Sequence, residues 1–240
     1  MDISVVVCCH NDGRFLPDAL DSLYQQTLAP ERYEVILIDD GSTDQTQDVA
    51  ARYRHHGNFR SITQSNQGLP AACNRGLREA RGAYVIRLDA DDRFEPDILA
   101  TMQPLLDDGS TDFVYSDRYE QVLGGPRQYV STAPFSLFKL IAIGTMMRRT
   151  LLLRVGGYRE LFWEEFDLYA RYLSATPKPA RHVARPLLTY SVKRPGSLMS
   201  DADARQKGCE ELKRLWPAHL WERFGPMPHE LVAVSCELPR

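Results

Sequence analysis

Residues 3–9, ISVVVCC, form an apolar, β-branched run too short for a helix, which predicts a parallel strand covered on both faces. Phe15, Leu16, Ala19, Leu20 and Leu23 then recur at steps of three and four, the spacing of an amphipathic helix. The same alternation repeats three times. Residues 34–39 (EVILID) predict a second strand, and Ser42 with Gln45 three residues on reads as a capping box opening the next helix. A third strand near residues 59–64 is followed by the turn Asn66-Gln67-Gly68 and a helix over 69–80. Residues 83–88 predict a fourth strand, ending in Asp89-Ala90-Asp91-Asp92, with Pro96 in the first turn of a helix reaching about Leu106. Strand alternating with helix in this way predicts an α/β fold with a mostly parallel sheet and right-handed crossovers.

After about Asp112 the rhythm changes. Residues 112–116 predict one more strand, and Gly124-Gly125-Pro126 a hairpin turn between polar strands. A short helix over 150–155 is closed by Gly156-Gly157. A stronger helix covers 162–174, where Phe162, Phe166, Tyr169 and Leu173 share a face, and residues 187–192 predict a late strand. From Asp201 the chain is charged and helical, a short C-terminal tail.

Composition adds constraints rather than chemistry. The 240 residues, 43% apolar and 25% charged, suit one large domain or two small ones and exclude wholesale disorder. A net charge of -3 gives no footprint for nucleic acid or an anionic membrane. Cys8, Cys9, Cys73, Cys209 and Cys236 are odd in number and spaced for neither a zinc site nor a disulfide framework. With no signal-peptide pattern and no run near the roughly 18 apolar residues of a membrane span, a cytoplasmic location is expected, with peripheral membrane contact left open.

In open parallel sheets, ligands bind beyond the carboxyl ends of the strands. Three of the first four strands end there in His10-Asn11-Asp12, Asp39-Asp40-Gly41-Ser42 and Asp89-Ala90-Asp91-Asp92. So many carboxylates at one edge repel unless a cation joins them, which suggests a divalent metal shared with a phosphate-bearing ligand. The alternative is that each caps a helix or turn, although one cap accounts for only one of the three acids after the fourth strand. There is no G-x-G-x-x-G after the first strand and no G-x-x-x-x-G-K-[ST], so neither a dinucleotide cradle nor a P-loop is present.

The ordered set ISVVVCCHND, EVILIDDGSTDQT, NQGLPAACNRGL and RGAYVIRLDADD, continued by IGTMMRRTLLLRVGGY and the acidic helix start Trp163-Glu164-Glu165-Phe166-Asp167, closely resembles the family-2 glycosyltransferases of the GT-A fold. The resemblance spans roughly residues 3–200. It implies a glycosyltransferase domain over 1–200, with a nucleotide-sugar-binding half (1–110) and an acceptor and catalytic half (111–200), followed by the tail at 201–240. On individual positions it implies contact of Cys8, His10 and Asp40 with the nucleotide base, with Asp39 adjacent and Gly68 beside the nucleotide. Asp89 would bind ribose, and Asp91 and Asp92 would hold Mg²⁺ or Mn²⁺ bridging the diphosphate. Hard oxygen ligands suit those ions.

Where relatives open the late acidic helix with Glu-Asp and use the Asp as base, this chain has Glu164 and Glu165, so Glu165 becomes the expected general base with one more methylene of reach. Glu164 and Glu165 would otherwise simply favour a helix N-terminus, and Asp167 pairs with Arg171 at i,i+4. Trp163 either lines an acceptor sugar's apolar face or packs in the core. Arg194 and Ser197 resemble a late loop folding over the diphosphate, or lie on a surface loop. The expectation is an inverting, metal-assisted transferase acting from a nucleotide-diphosphate sugar on a carbohydrate, lipid-linked or other hydroxyl acceptor, with no nucleic-acid partner. Two alternatives stay open: a catalytically impaired nucleotide-sugar sensor or partner subunit, and a nucleotidyltransferase, for which His10-Asn11-Asp12-Gly13-Arg14 is a poor glycine-rich loop.

Overall fold

A computed structural model describes residues 1–122, 124–192, 201–216 and 223–225. The four predicted strand–helix repeats are present. They are β1 (Ile3–Cys9), α1 (Leu16–Tyr24), β2 (Tyr33–Asp40), α2 (Thr46–Arg52), β3 (Phe59–Gln64), α3 (Leu69–Glu79), β4 (Tyr84–Asp89) and α4 (Ile98–Asp107), with the two-residue β5 (Arg93–Phe94) before α4. The second half adds β6 (Phe113–Val122), β7 (Arg127–Val130), β8 (Met146–Arg148), α5 (Arg149–Arg154), α6 (Glu164–Ser174), β9 (Arg181–Val192) and α7 (Ala202–Leu215). One sheet runs in the order β3-β2-β1-β4-β8-β6-β9-β5, with β7 paired to β6. Strands β3, β2, β1 and β4 are parallel, as the buried β-branched runs predict. The short β8 enters antiparallel between β4 and β6 and makes the second half mixed.

The alternation along each buried strand sends successive residues into two different cores. Val5, Val7, Leu37, Ile86 and Leu88 pack with α1 and α4 on one face, while Val6, Ile36, Ile38 and Val85 pack with α3 and α6 on the other. Close packing sets the position of α3: a Cβ on Gly76 would stand 2.2 Å from Val6 Cγ1. The tail helix α7 joins the second core through Cys209 and Leu212. Among the described residues no helix is long and apolar enough to cross a membrane.

Three local expectations are corrected. Helix α2 opens at Thr46, not behind a Ser42 cap. The Asp44 carboxylate accepts from Thr46 N at 3.0 Å and from Gly13 N at 2.9 Å, so a carboxylate closer to the helix displaces the weaker hydroxyl. Ser42 is used otherwise, its amide donating to Asp39 Oδ1 and its Oγ accepting from Asn11 N. Pro96 lies before the Asp97 cap of α4 rather than in its first turn. The late strand is twice the expected length, because β9 pairs along nearly all of β6 and absorbs Pro186 at a register shift.

Candidate active site

The carboxyl ends of β1, β2 and β4 lie side by side, with Cys8 opposite both Ile38 and Asp89. Their pleat directs Cys8, Asp40 and Asp89 toward the α3 face. Cys8 Sγ is buried 3.4 Å from Cys73 Sγ of α3, and the hydrogen bond with that thiol, then burial, pushes its own pKa up, which makes it an inert wall rather than a nucleophile. Asp40 anchors the chain entering α3. Its Oδ1 accepts from Gln67 N at 2.9 Å and from Gln64 Nε2 at 2.8 Å, and its Oδ2 accepts from Gly68 N at 2.8 Å. Gly68 has φ +87°, a backbone state that costs a side-chain-bearing residue strain and comes free to glycine. His10 is exposed, with Nδ1 2.8 Å from Asp40 O and Nε2 3.0 Å from Asn66 Nδ2. Asp39 faces the opposite core and holds Ser42 N.

Beyond β4, Asp91 borders a cavity of about 250 Å³ shared with Phe15, Asp18, Arg93, Gln121 and Ser191. Asp92 is buried and its Oδ1 accepts from Ser191 N at 2.7 Å, tying the end of β9 to this loop. Among the described residues no three His, Cys, Asp or Glu side chains form a ready-made metal cage. The hard oxygens of the Asp91-Asp92 loop suit Mg²⁺ or Mn²⁺ as those ions bind with phosphates, through one or two carboxylates with substrate oxygens and water completing the shell. Asp91 borders the cavity, and Asp92 fixes the loop behind it through the Ser191 amide.

The acidic start of α6 lies across from the end of β4, linked to it by Arg87. Glu165 is 9% exposed, and burial, then the neighbouring Glu164 carboxylate, pushes its pKa up to about 8, while Arg87 acts in the opposite direction. Burial also raises Glu164 against the pull of Arg87. Asp167 is fully buried and ion-paired with Arg171 at 2.6 Å and Arg159 at 3.2 Å, which is a structural role. Trp163 is 4% exposed, stacked on Phe166, with Nε1 donating to Arg205 O of α7; it packs in the core, the second of its two sequence readings. Arg194 and Ser197 lie outside the described residues.

Two residues escaped the sequence reading. Arg87 is 4% exposed in the middle of β4, its Nε and Nη2 on the two oxygens of Asp89 at 2.6 and 2.9 Å and its Nη1 on Glu164 Oε1 at 2.9 Å. A charge inside the apolar run AYVIRL was the available signal. Tyr190 of β9 stands among the acids: burial first, then Asp92, Asp89, Asp91 and Glu165, all hold its phenol protonated.

This α/β architecture, with the polar ends of β1, β2 and β4 side by side, is that of the GT-A glycosyltransferases. The family model described as glycosyl transferase family 2 matches residues 4–169, and the chain belongs to that family. A cholesterol galactosyltransferase of Borreliella burgdorferi is 34% identical over 139 residues, covering 58% of this chain and 38% of that protein. Glycosyltransferase GlyG of Streptococcus pneumoniae is 31% identical over 151 residues, 61% of this chain and 49% of that protein. The chain thus spans less than half of each. Among solved structures, residues 1–349 of S. aureus TarS in complex with UDP-GlcNAc superpose with a TM-score of 0.74 at 21% identity, over 88% of this chain and 66% of that one. Mannosyltransferase PcManGT of Pyrobaculum calidifontis with GDP-Man and Mn²⁺ gives 0.73 at 17%, over 92% and 67%.

Proposed function

We propose that the chain transfers a sugar from a nucleotide-diphosphate sugar to an acceptor hydroxyl, with inversion at the anomeric carbon. The nucleotide lies along Cys8, His10, Asp40 and Gly68, and the ribose reaches Asp89. Glu165 takes the acceptor's proton as its oxygen bonds to the anomeric carbon, and the bond from that carbon to the diphosphate oxygen breaks on the opposite side. Asp91, with Asp92 behind it, would hold a divalent cation, which when bound would supply positive charge to offset that of the nucleoside diphosphate. A single displacement leaves the anomeric centre inverted.

The observation that carries this reading is the placement of Glu165, a buried carboxyl in the first turn of α6 next to Glu164, which Arg87 ties to Asp89 at the end of β4. Burial and Glu164 raise its pKa to about 8, an affinity for protons suited to a general base. Family membership, and similar folds solved with UDP-GlcNAc or with GDP-Man and Mn²⁺, support the donor class. A thermal-shift panel of uridine, guanosine and thymidine diphosphate sugars, each with and without Mn²⁺, tests it, because a ligand bound to the native state raises the melting temperature. The reading requires at least one metal-dependent stabilisation; a flat panel rejects the donor class. Donor binding with no transfer to any acceptor would instead indicate a sensor.

A further inference from the structure

We propose that Arg87 is a positioning residue: one buried guanidinium fastens the donor-side carboxylate Asp89 to the first turn of the helix that carries Glu165. The inference rests on the transferase reading above, in which Asp89 meets the donor and Glu165 is the base.

The geometry is specific. Arg87 sits between Ile86 and Leu88, both fully buried, and its side chain crosses to the α3 and α6 face. Its fork engages both oxygens of Asp89 two residues along the same strand, leaving Nη1 to reach Glu164 across 77 positions of sequence. Burial opposes its charge, but the Asp89 and Glu164 carboxylates outweigh that cost and keep it firmly protonated. The ring of Tyr158 lies 5.9 Å from the guanidinium carbon. Tyr158 is itself fixed to α3, its amide donating to Asn74 Oδ1 at 2.8 Å and its carbonyl accepting from Asn74 Nδ2 at 2.7 Å. Strand β4, helix α3 and the start of α6 therefore meet at this one cation.

A buried ion cluster is a poor stability device, since apolar side chains of the same volume commonly do as well or better. What a planar fork does better than any apolar group is fix direction. Consecutive residues of a helix point about 100° apart, so pinning Glu164 toward β4 sets where Glu165 points. A donor seated on Asp89 and a base on α6 thus share one reference point.

The test uses the full chain with Arg87→Met, Arg87→Lys, Glu164→Gln and the double variant Arg87→Met/Glu164→Gln. Two readouts are taken: nucleoside diphosphate release from UDP-GlcNAc or GDP-mannose with Mn²⁺, and the Kd of the matching nucleoside diphosphate with Mn²⁺. Misplacement of a reacting group by about 1 Å costs roughly 100-fold in rate. Arg87→Met should therefore lower kcat about 100-fold while Kd changes less than about 10-fold, and Arg87→Lys should restore part of kcat as a point charge without the fork. Adding Glu164→Gln to Arg87→Met should cost less than about threefold more, because both cut the same link. Arg87→Met that lowers the melting temperature yet keeps kcat within about threefold at a temperature where it is folded overturns the inference, as do multiplicative single effects. Should Arg87→Met fail to fold, Glu164→Gln alone cuts the link with little change in volume, and wild-type kcat in that variant overturns it equally. A wild-type chain that releases nucleotide from neither donor rejects the transferase reading, and the inference with it; an active wild type with indifferent variants rejects the inference alone.

Discussion

Replacing Glu165 by Gln should flatten the pH dependence of stability, and this can be measured without any substrate. The folded chain holds Glu165 with a pKa of about 8, raised from an ordinary value of 4.5 by burial and by Glu164. Between those values the native state keeps a proton that the unfolded chain releases, so stability must fall as pH rises through this window. The contribution is fully present below about pH 4.5 and lost as pH passes 8. From pH 6 to pH 8 the loss amounts to roughly 2 kcal/mol. In a chain of this size that is about 4–8 °C in melting temperature. Glutamine mimics the protonated carboxyl and has nothing to lose. Melting curves of wild type and Glu165→Gln across pH 6–8 should therefore diverge by about that amount, the wild type falling further. Parallel curves would refute the raised pKa, and with it the physical case for this residue as a base.

Other perturbations separate the parts of the groove. Asp91→Asn should weaken donor binding by about tenfold or more with Mn²⁺ present and little without it, which calorimetry in the two conditions checks. Asp40→Asn turns a donating amide toward the Gln67 and Gly68 amides and should cost about 1–3 kcal/mol in urea melts, together with donor affinity. Gly76→Ala drives a methyl into Val6 and should destabilise by about 1–3 kcal/mol, and the shift of α3 should be visible as lost donor affinity at constant protein concentration.

Strands β1, β2 and β4 were legible because a strand buried on both faces is written as a nearly continuous apolar run, and each ends where polar residues begin. Strand β3, FRSITQ and half-exposed, was legible mainly from its place in the strand–helix alternation. The polar strand ends pointed to the candidate site, since a parallel sheet leaves them open to ligands. Strand β8 was not legible: three residues, Met146–Arg148, carry no periodicity, and their place between β4 and β6 is decided by partners far away in sequence. The cap of α2 was misread because Ser42 and Asp44 compete for one site and local spacing does not rank them. Arg87 was visible as an anomaly in an apolar run, yet its meaning depended on Glu164 arriving from the second half of the chain. Trp163 shows the converse: an aromatic beside an acidic pair reads equally as ligand platform or core, and only the packing of α7 over it decides.

The most direct test of the transferase account is nucleoside diphosphate release by purified chain from a sugar nucleotide it binds, with Mn²⁺ and an acceptor panel, comparing wild type with Glu165→Gln. The account predicts equal donor affinity and a turnover lower by about 100-fold or more in the variant, the usual cost of losing a general base. Equal turnover by the two proteins would contradict it.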